Sequence, residues 1–384
     1  MQEEGLDGNM PSCAILLDSM IAAMAPDRHP PPTRVVVNGR LLVEAGPPFA
    51  RLSARQIVDW LRQESSIRAD IVVPRPLPLE PAPGLSAVVV RRSRGAAVFD
   101  HYDFPRAGAR LGADLLLSLH ESAPMAAAAP VACIAGESSG ASARRGRVAR
   151  SLDAAGLTTA TVFRMSDALG DSRRLRWVDL PAFVPRGVGV PGDDSDRGIR
   201  AVPGLPEAYV LALPETPDEV SLVLAAWTWV DGSLGDSFTL ILGTFDDAVA
   251  RRAEDEIRRR DLRESVRTFQ ATDGEWPRVF RGASALVHPG VPANPGPLRW
   301  ALVSGVPIVA IDSPRVASIV GPAAYLVPPG DSRGLGAACL TLLVEESVAS
   351  ELRTRGLQRA ATYHAESTRQ AWLGAIRDAA RPRR

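Results

Sequence analysis

Short runs of β-branched and leucine residues alternate along this chain with stretches whose apolar positions recur every three or four residues. Residues 34–40, Arg-Val-Val-Val-Asn-Gly-Arg, predict a buried strand that ends in turn residues. After the loop around Gly46-Pro-Pro48, residues 54–62 place Ile57, Val58, Trp60 and Leu61 at helical spacing. Residues 71–73 and 87–90 predict further strands, and 107–111 a helix. A strand over 113–119 ends at His120, and another covers 130–134. The second half repeats the pattern, with strands at 208–213, 238–242, 266–269, 285–287 and 307–311. Between them, 220–229 and the charged amphipathic stretch 246–261 predict helices. Strands with few polar positions, separated by helices, indicate parallel sheets covered on both faces.

Residues 181–203 are rich in Gly, Pro and Asp with weak periodicity, so they divide the chain. The pattern therefore predicts an N-terminal extension over 1–33, a Rossmann-like domain over 34–195 and a second over 196–384 with a closing helix. Two doubly wound domains joined this way face a cleft bounded by both sets of strand carboxyl ends, where such sheets bind ligands. In the extension, the apolar residues 14–25 are broken by Asp18 and preceded by Glu3, Glu4 and Asp7. That stretch is too short for a membrane span and lacks the basic start of a secretory signal. A packed helix, a loose extension and sequence ahead of the true start all fit it.

Charge changes the picture through its distribution. There are 44 basic and 44 acidic residues, so no net field favours nucleic acid. All 44 basic residues are arginine, which excludes Schiff-base, general-base and phosphate-loop lysine chemistry. The surplus of Ala, Gly, Pro and Arg fits a GC-rich coding sequence. Cys13, Cys133 and Cys339 are too dispersed for a metal knuckle, and three cannot fully pair, so a reducing cytoplasm is expected. Attachment to the inner face of the membrane is left open. No metal cofactor is expected.

The second half resembles glycosyltransferase family 4, retaining enzymes of the GT-B fold that use nucleotide-sugar donors. The resemblance rests on Gly204-Leu-Pro-Glu-Ala-Tyr-Val-Leu211, Phe280-Arg-Gly-Ala-Ser-Ala-Leu-Val287, Gly305-Val-Pro-Ile-Val309 and Gly321. Leu326-Val-Pro-Pro-Gly-Asp331 follows, and then Leu352-Arg353, Gly356, Arg359-Ala360 and Tyr363, all in the family's order. The first half adds Val37-Asn-Gly-Arg-Leu-Leu42, and Gly112 to His120 with Pro124. The resemblance implies a GT-B architecture of two Rossmann-like domains, a nucleotide-sugar substrate and a glycan acceptor.

The family's site residues carry over poorly. Its two glutamates eight positions apart fall on Pro292 and Trp300, and its third falls on Ser318. No carboxylate lies between Glu275 and Asp312, and an indole at position 300 fills space that the family leaves for the nucleotide. The family's His-Asp pair falls near Ala135-Gly136 and is missing too. Where it places an Arg and a Lys for the donor diphosphate, this chain reads Pro214-Glu-Thr-Pro-Asp-Glu219, with no basic residue from 201 to 250. One unit charge ~5 Å from a diphosphate is worth ~3 kcal/mol at an effective dielectric of 20, so acids in place of cations oppose binding strongly.

The remaining candidates for donor-phosphate contact are Leu298, at the start of a helix whose free amides can hold phosphate, with Arg299 and Arg315 as the nearby cations. Both arginines also fit ordinary solvated positions. His120, at a strand's carboxyl end, is a possible acceptor-side contact, or a capped strand-end residue. His288 fits a structural role better. The small-residue loop 136–142 resembles a phosphate cradle without its lysine, and the arginines at 144, 145, 147 and 150 after it fit a solvated helix face or an anion-attracting patch. Two functions follow: glycosyl transfer through an impaired donor site, or a non-catalytic scaffold or binding subunit beside an active enzyme.

Overall fold

The computed structural model describes residues 31–43, 48–76, 85–90, 95–135, 160–165, 176–185, 188, 202–292, 294–361, 363 and 366–381. The unit Thr33–Arg384 holds two parallel sheets. The first has seven strands in the order β3-β2-β1-β4-β5-β6-β7: β1 (Thr33–Asn38), β2 (Ile67–Val73), β3 (Leu85–Val89), β4 (Leu115–Ser118), β5 (Val131–Ala135), β6 (Thr161–Met165) and β7 (Arg176–Leu180). Val35, Val36 and Val37 are all fully buried, because helices cover both faces of this sheet. That is why the run carries no polar alternation.

α1 (Arg40–Val43) and α2 (Pro48–Gln63) follow β1. α2 turns Phe49, Ala54, Ile57, Val58 and Leu61 into the core, and it starts six residues before the predicted helix. α3 (Ala96–Val98) runs into a π-helical turn, Phe99–Asp103, and then into α4 (Phe104–Leu111). Gly112, at φ 66°, closes α4 in the left-handed conformation that glycine adopts without penalty.

The second sheet has six strands in the order β10-β9-β8-β11-β12-β13: β8 (Tyr209–Ala212), β9 (Thr239–Gly243), β10 (Val266–Phe269), β11 (Ala285–His288), β12 (Ile308–Ile311) and β13 (Ala324–Val327). Its helices are α5 (Pro217–Leu234), α6 (Asp247–Arg259), α7 (Trp276–Gly282), α8 (Gly296–Val303), α9 (Pro314–Val320), α10 (Ser332–Val344) and α11 (Glu346–Ala360). Side-chain oxygens hold the free amides at several starts: Thr216 accepts from Glu219 N, Asp246 from Ala248 N and Val249 N, Ser313 from Val316 N, and Asp331 from Gly334 N.

α12 (Glu366–Ala380) follows the second sheet in sequence but packs on the first. Its Trp372 indole donates to the Pro181 carbonyl at 3.0 Å and lies edge-on to Phe183 and Phe163. Phe183 in turn meets Trp60 of α2. The chain end thereby completes the first lobe, and one continuous apolar cluster reaches from β1 through α12 to α8 and β12.

Candidate functional site

Each sheet has a topological switch point, where strand order reverses and a crevice opens beyond the carboxyl ends. In the second sheet it lies between β8 and β11. Glu219, from the first turn of α5, reaches it: a side chain at Gly290, just after β11, would collide with the Glu219 carboxylate. Glu219 Oε2 accepts from Glu215 N at 2.7 Å. Burial raises its pKa, only partly offset by these backbone donors, and Asp218 raises it further. Asp218 itself is exposed. The crevice therefore presents a carboxylate where anion binding needs positive charge.

His288, at the end of β11, is wholly buried and points Nδ1 at the Gly290 carbonyl, 3.0 Å away. Burial lowers its pKa to about 4, against the smaller upward pull of that hydrogen bond. It is a neutral residue that shapes the Pro289–Gly290 corner.

α8 carries the positions at which the resemblance looks for donor contacts, and all eight of its residues are buried. Leu298 is fully enclosed, and Arg299 is 1% exposed with its polar contacts inside the protein. The first amide, Gly296 N, is already taken by Asn294 Oδ1 at 2.7 Å. Pro292 is buried in the loop before the helix. Ser318, in α9, donates its hydroxyl hydrogen to the Arg315 carbonyl at 2.8 Å, and Arg315 is half-buried at the start of that helix.

Trp300 belongs to an aromatic box around Phe49. Phe49 of α2 meets it edge-on, with ring centroids 5.0 Å apart, and also meets Phe280, Trp276 and Phe245 at 5.9, 6.3 and 6.0 Å. Phe280 also meets Trp300 edge-on at 5.5 Å, so the three rings touch one another. Gly296 is required here, since a side chain would strike the Phe49 Cβ. Next to the box, Arg51 makes two hydrogen bonds to Asp273, at 2.7 and 2.6 Å, and Arg55 reaches the same carboxylate at 3.1 Å. The cavity left beside these contacts measures about 210 Å³ and is lined by Pro48, Arg51, Phe245, Asp246, Gln270 and Trp276 among others. That is less than the ~300–1,000 Å³ of drug-sized ligand sites.

In the first sheet the switch point lies between β1 and β4. There His120 joins a buried cluster that sequence reading did not assemble. Asp100, from the π-helical turn, accepts from Asn38 Nδ2 and Arg40 Nε, both at 2.9 Å. His120 Nε2 lies 2.6 Å from Arg40 Nη2 and 3.3 Å from Asp100 Oδ2. Burial pushes the Asp100 carboxyl up, but His120 and then Arg40 outweigh it and hold the pKa far below the usual carboxylate range. Arg40 lies within the motif quoted for this half. Asp100 sits 60 residues from Arg40 and 20 from His120, so no local pattern marks it.

The small-residue loop 136–142 and the arginines after it lie outside the described residues. Among the described residues, no group of His, Cys, Asp and Glu is arranged to hold a metal, and no helix is long and apolar enough to cross a membrane.

No family model and no curated protein matches this sequence. Solved structures match closely in fold at low identity. WaaG, a glycosyltransferase involved in lipopolysaccharide biosynthesis, is 12% identical over 89% of this chain and 99% of its own, with a TM-score of 0.68. HepE of Anabaena, in complex with UDP and glucose, is 14% identical over 90% and 99%, with a TM-score of 0.66. The trehalose-6-phosphate synthase OtsA is 9% identical over 90% and 99%, at 0.65. With its two parallel sheets and its last helix packed back on the first, this chain has the GT-B glycosyltransferase fold.

Proposed function

We propose that this chain is a glycosyltransferase homologue that keeps the GT-B scaffold without a working donor site, and that it serves as a binding or scaffolding subunit beside an active transferase. One observation carries the reading. Phe49 packs on Trp300, so the protein's own side chains fill the place that family 4 enzymes, which the sequence resembles, give to the nucleotide. Glu219 at the strand-end crevice and the enclosure of Leu298 and Arg299 agree with it. Titration calorimetry of the whole chain with UDP, GDP and their sugars is expected to give no heat up to millimolar ligand. Micromolar binding of any of them sinks the reading.

A second reading is glycosyl transfer through an altered donor site, on a glycan acceptor held by the first lobe. It is favoured by the Asn38–Arg40–Asp100–His120 cluster, which keeps polar chemistry at the first switch point. On this reading, Arg299 and Arg315 must move to reach a donor phosphate, and donor hydrolysis in the presence of the protein is the measurement that supports it.

A further inference from the structure

We propose that the first two turns of α2 form a latch that fastens the lobes across the cleft, with Phe49 as its plug and Arg51 and Arg55 as its clamp. All four of Phe49's aromatic partners belong to the second lobe: Phe245 follows β9, Trp276 and Phe280 stand on α7, and Trp300 stands on α8. The ring is 2% exposed, and edge-to-face contacts on several sides fix its position as well as its burial. The clamp lies two and six residues further along the same helix. Asp273, which accepts from both, is in the loop before α7, so two guanidiniums of one lobe share one carboxylate of the other. The paired Arg51 contact is of the geometrically specific, charge-assisted kind.

Plug and clamp act together because one rigid helix carries both. The lobes cannot part without drawing the ring out of its box and breaking the Asp273 contacts in the same movement. Gly296 fits this reading, as the absence of a side chain there leaves the plug its room. The inference goes beyond the function proposed above, since it concerns the movement of the lobes and holds whether or not a nucleotide binds.

Hydrogen exchange by mass spectrometry and X-ray scattering on the whole chain test it. The proteins compared are the unaltered chain, Phe49→Leu, Phe49→Ala and the double variant Arg51→Ala/Arg55→Ala. In Phe49→Ala and the double variant, exchange is expected to rise about tenfold in residues 48–63, 270–282 and 296–303. Strands β1, β4, β8 and β11 keep their protection, and the radius of gyration grows. Phe49→Leu, which keeps an apolar plug, stays close to the unaltered chain. Unchanged exchange in the double variant, or an equal loss of protection throughout both sheets in Phe49→Ala, overturns the latch. If Phe49→Ala does not fold, the double variant decides alone, because its side chains lie outside the core. Titration of the same variants with UDP is read separately and bears on the proposed function, not on the latch.

Discussion

At the residue scale, the protein shows how much depends on where a titratable or missing side chain sits. His288 is neutral in the fold because burial lowers its pKa from 6.5 to about 4. Between those values the unfolded chain binds a proton that the folded chain does not, so stability rises with pH there. The contribution is complete above pH 6.5 and is lost as pH falls towards 4. The loss amounts to about 3 kcal/mol by the usual conversion. Urea unfolding of His288→Asn, which keeps a donor for the Gly290 carbonyl, is expected to be flatter between pH 7 and 5 than that of the unaltered chain. Equal slopes would show that another group governs that window. Gly296 gives a second test at this scale. An alanine there places its Cβ 2.5 Å from the Phe49 Cβ and 2.8 Å from Asn294 Oδ1. Gly296→Ala should cost about 1–3 kcal/mol by overpacking, measured as a lower urea midpoint with an unchanged slope.

At the element scale, the legible elements were the wholly buried ones. β1, β8, β11 and β12 centre on runs of three or four buried apolar residues, and those runs located them to within a residue or two. β6 and β7 were not foreseen. Their sequences, Thr-Val-Phe-Arg-Met and Arg-Trp-Val-Asp-Leu, mix polar and apolar positions, and Arg164 of β6 pairs with Asp179 of β7 towards solvent. Part of the candidate site was legible as composition: no carboxylate lies between Glu275 and Asp312 and no basic residue from 201 to 250. The packing of Phe49 on Trp300 was not. Phe49 lies 251 positions before Trp300, and only the fold brings them together. The closing helix expected from Leu352-Arg353 to Tyr363 corresponds to α11; α12 after it is not marked by any motif, and nothing in its sequence says that it packs on the first lobe and not the second. Its anchor is Trp372, fully buried against Phe163 and Phe183. Trp372→Ala is expected to cost about 3–5 kcal/mol. The accompanying loss of amide protection should fall first on α12 and on residues 176–185, ahead of β9 and β10. Loss beginning in the second sheet would show that the helix anchors the other lobe.

At the scale of the whole molecule, the question is whether two sheets make two units or one. Separate Rossmann-like domains joined by a linker would unfold separately if the surface between them were small and wet. Here Phe49 lies inside the second lobe's aromatic box, α12 ties the chain end to the first lobe, and buried side chains of both sheets belong to one apolar cluster. Removing either lobe would leave the other with exposed core. The expected outcome is a single calorimetric transition, with equal calorimetric and van't Hoff enthalpies, and with near-ultraviolet and far-ultraviolet dichroism changing at one midpoint. Two resolved transitions in the unaltered chain would mean that the lobes are thermodynamically separate. The double variant Arg51→Ala/Arg55→Ala offers the finer test. Half-buried charge pairs contribute modestly to overall stability, so its midpoint should move little. Its transition should nevertheless broaden, because the clamp is a polar link that couples the lobes.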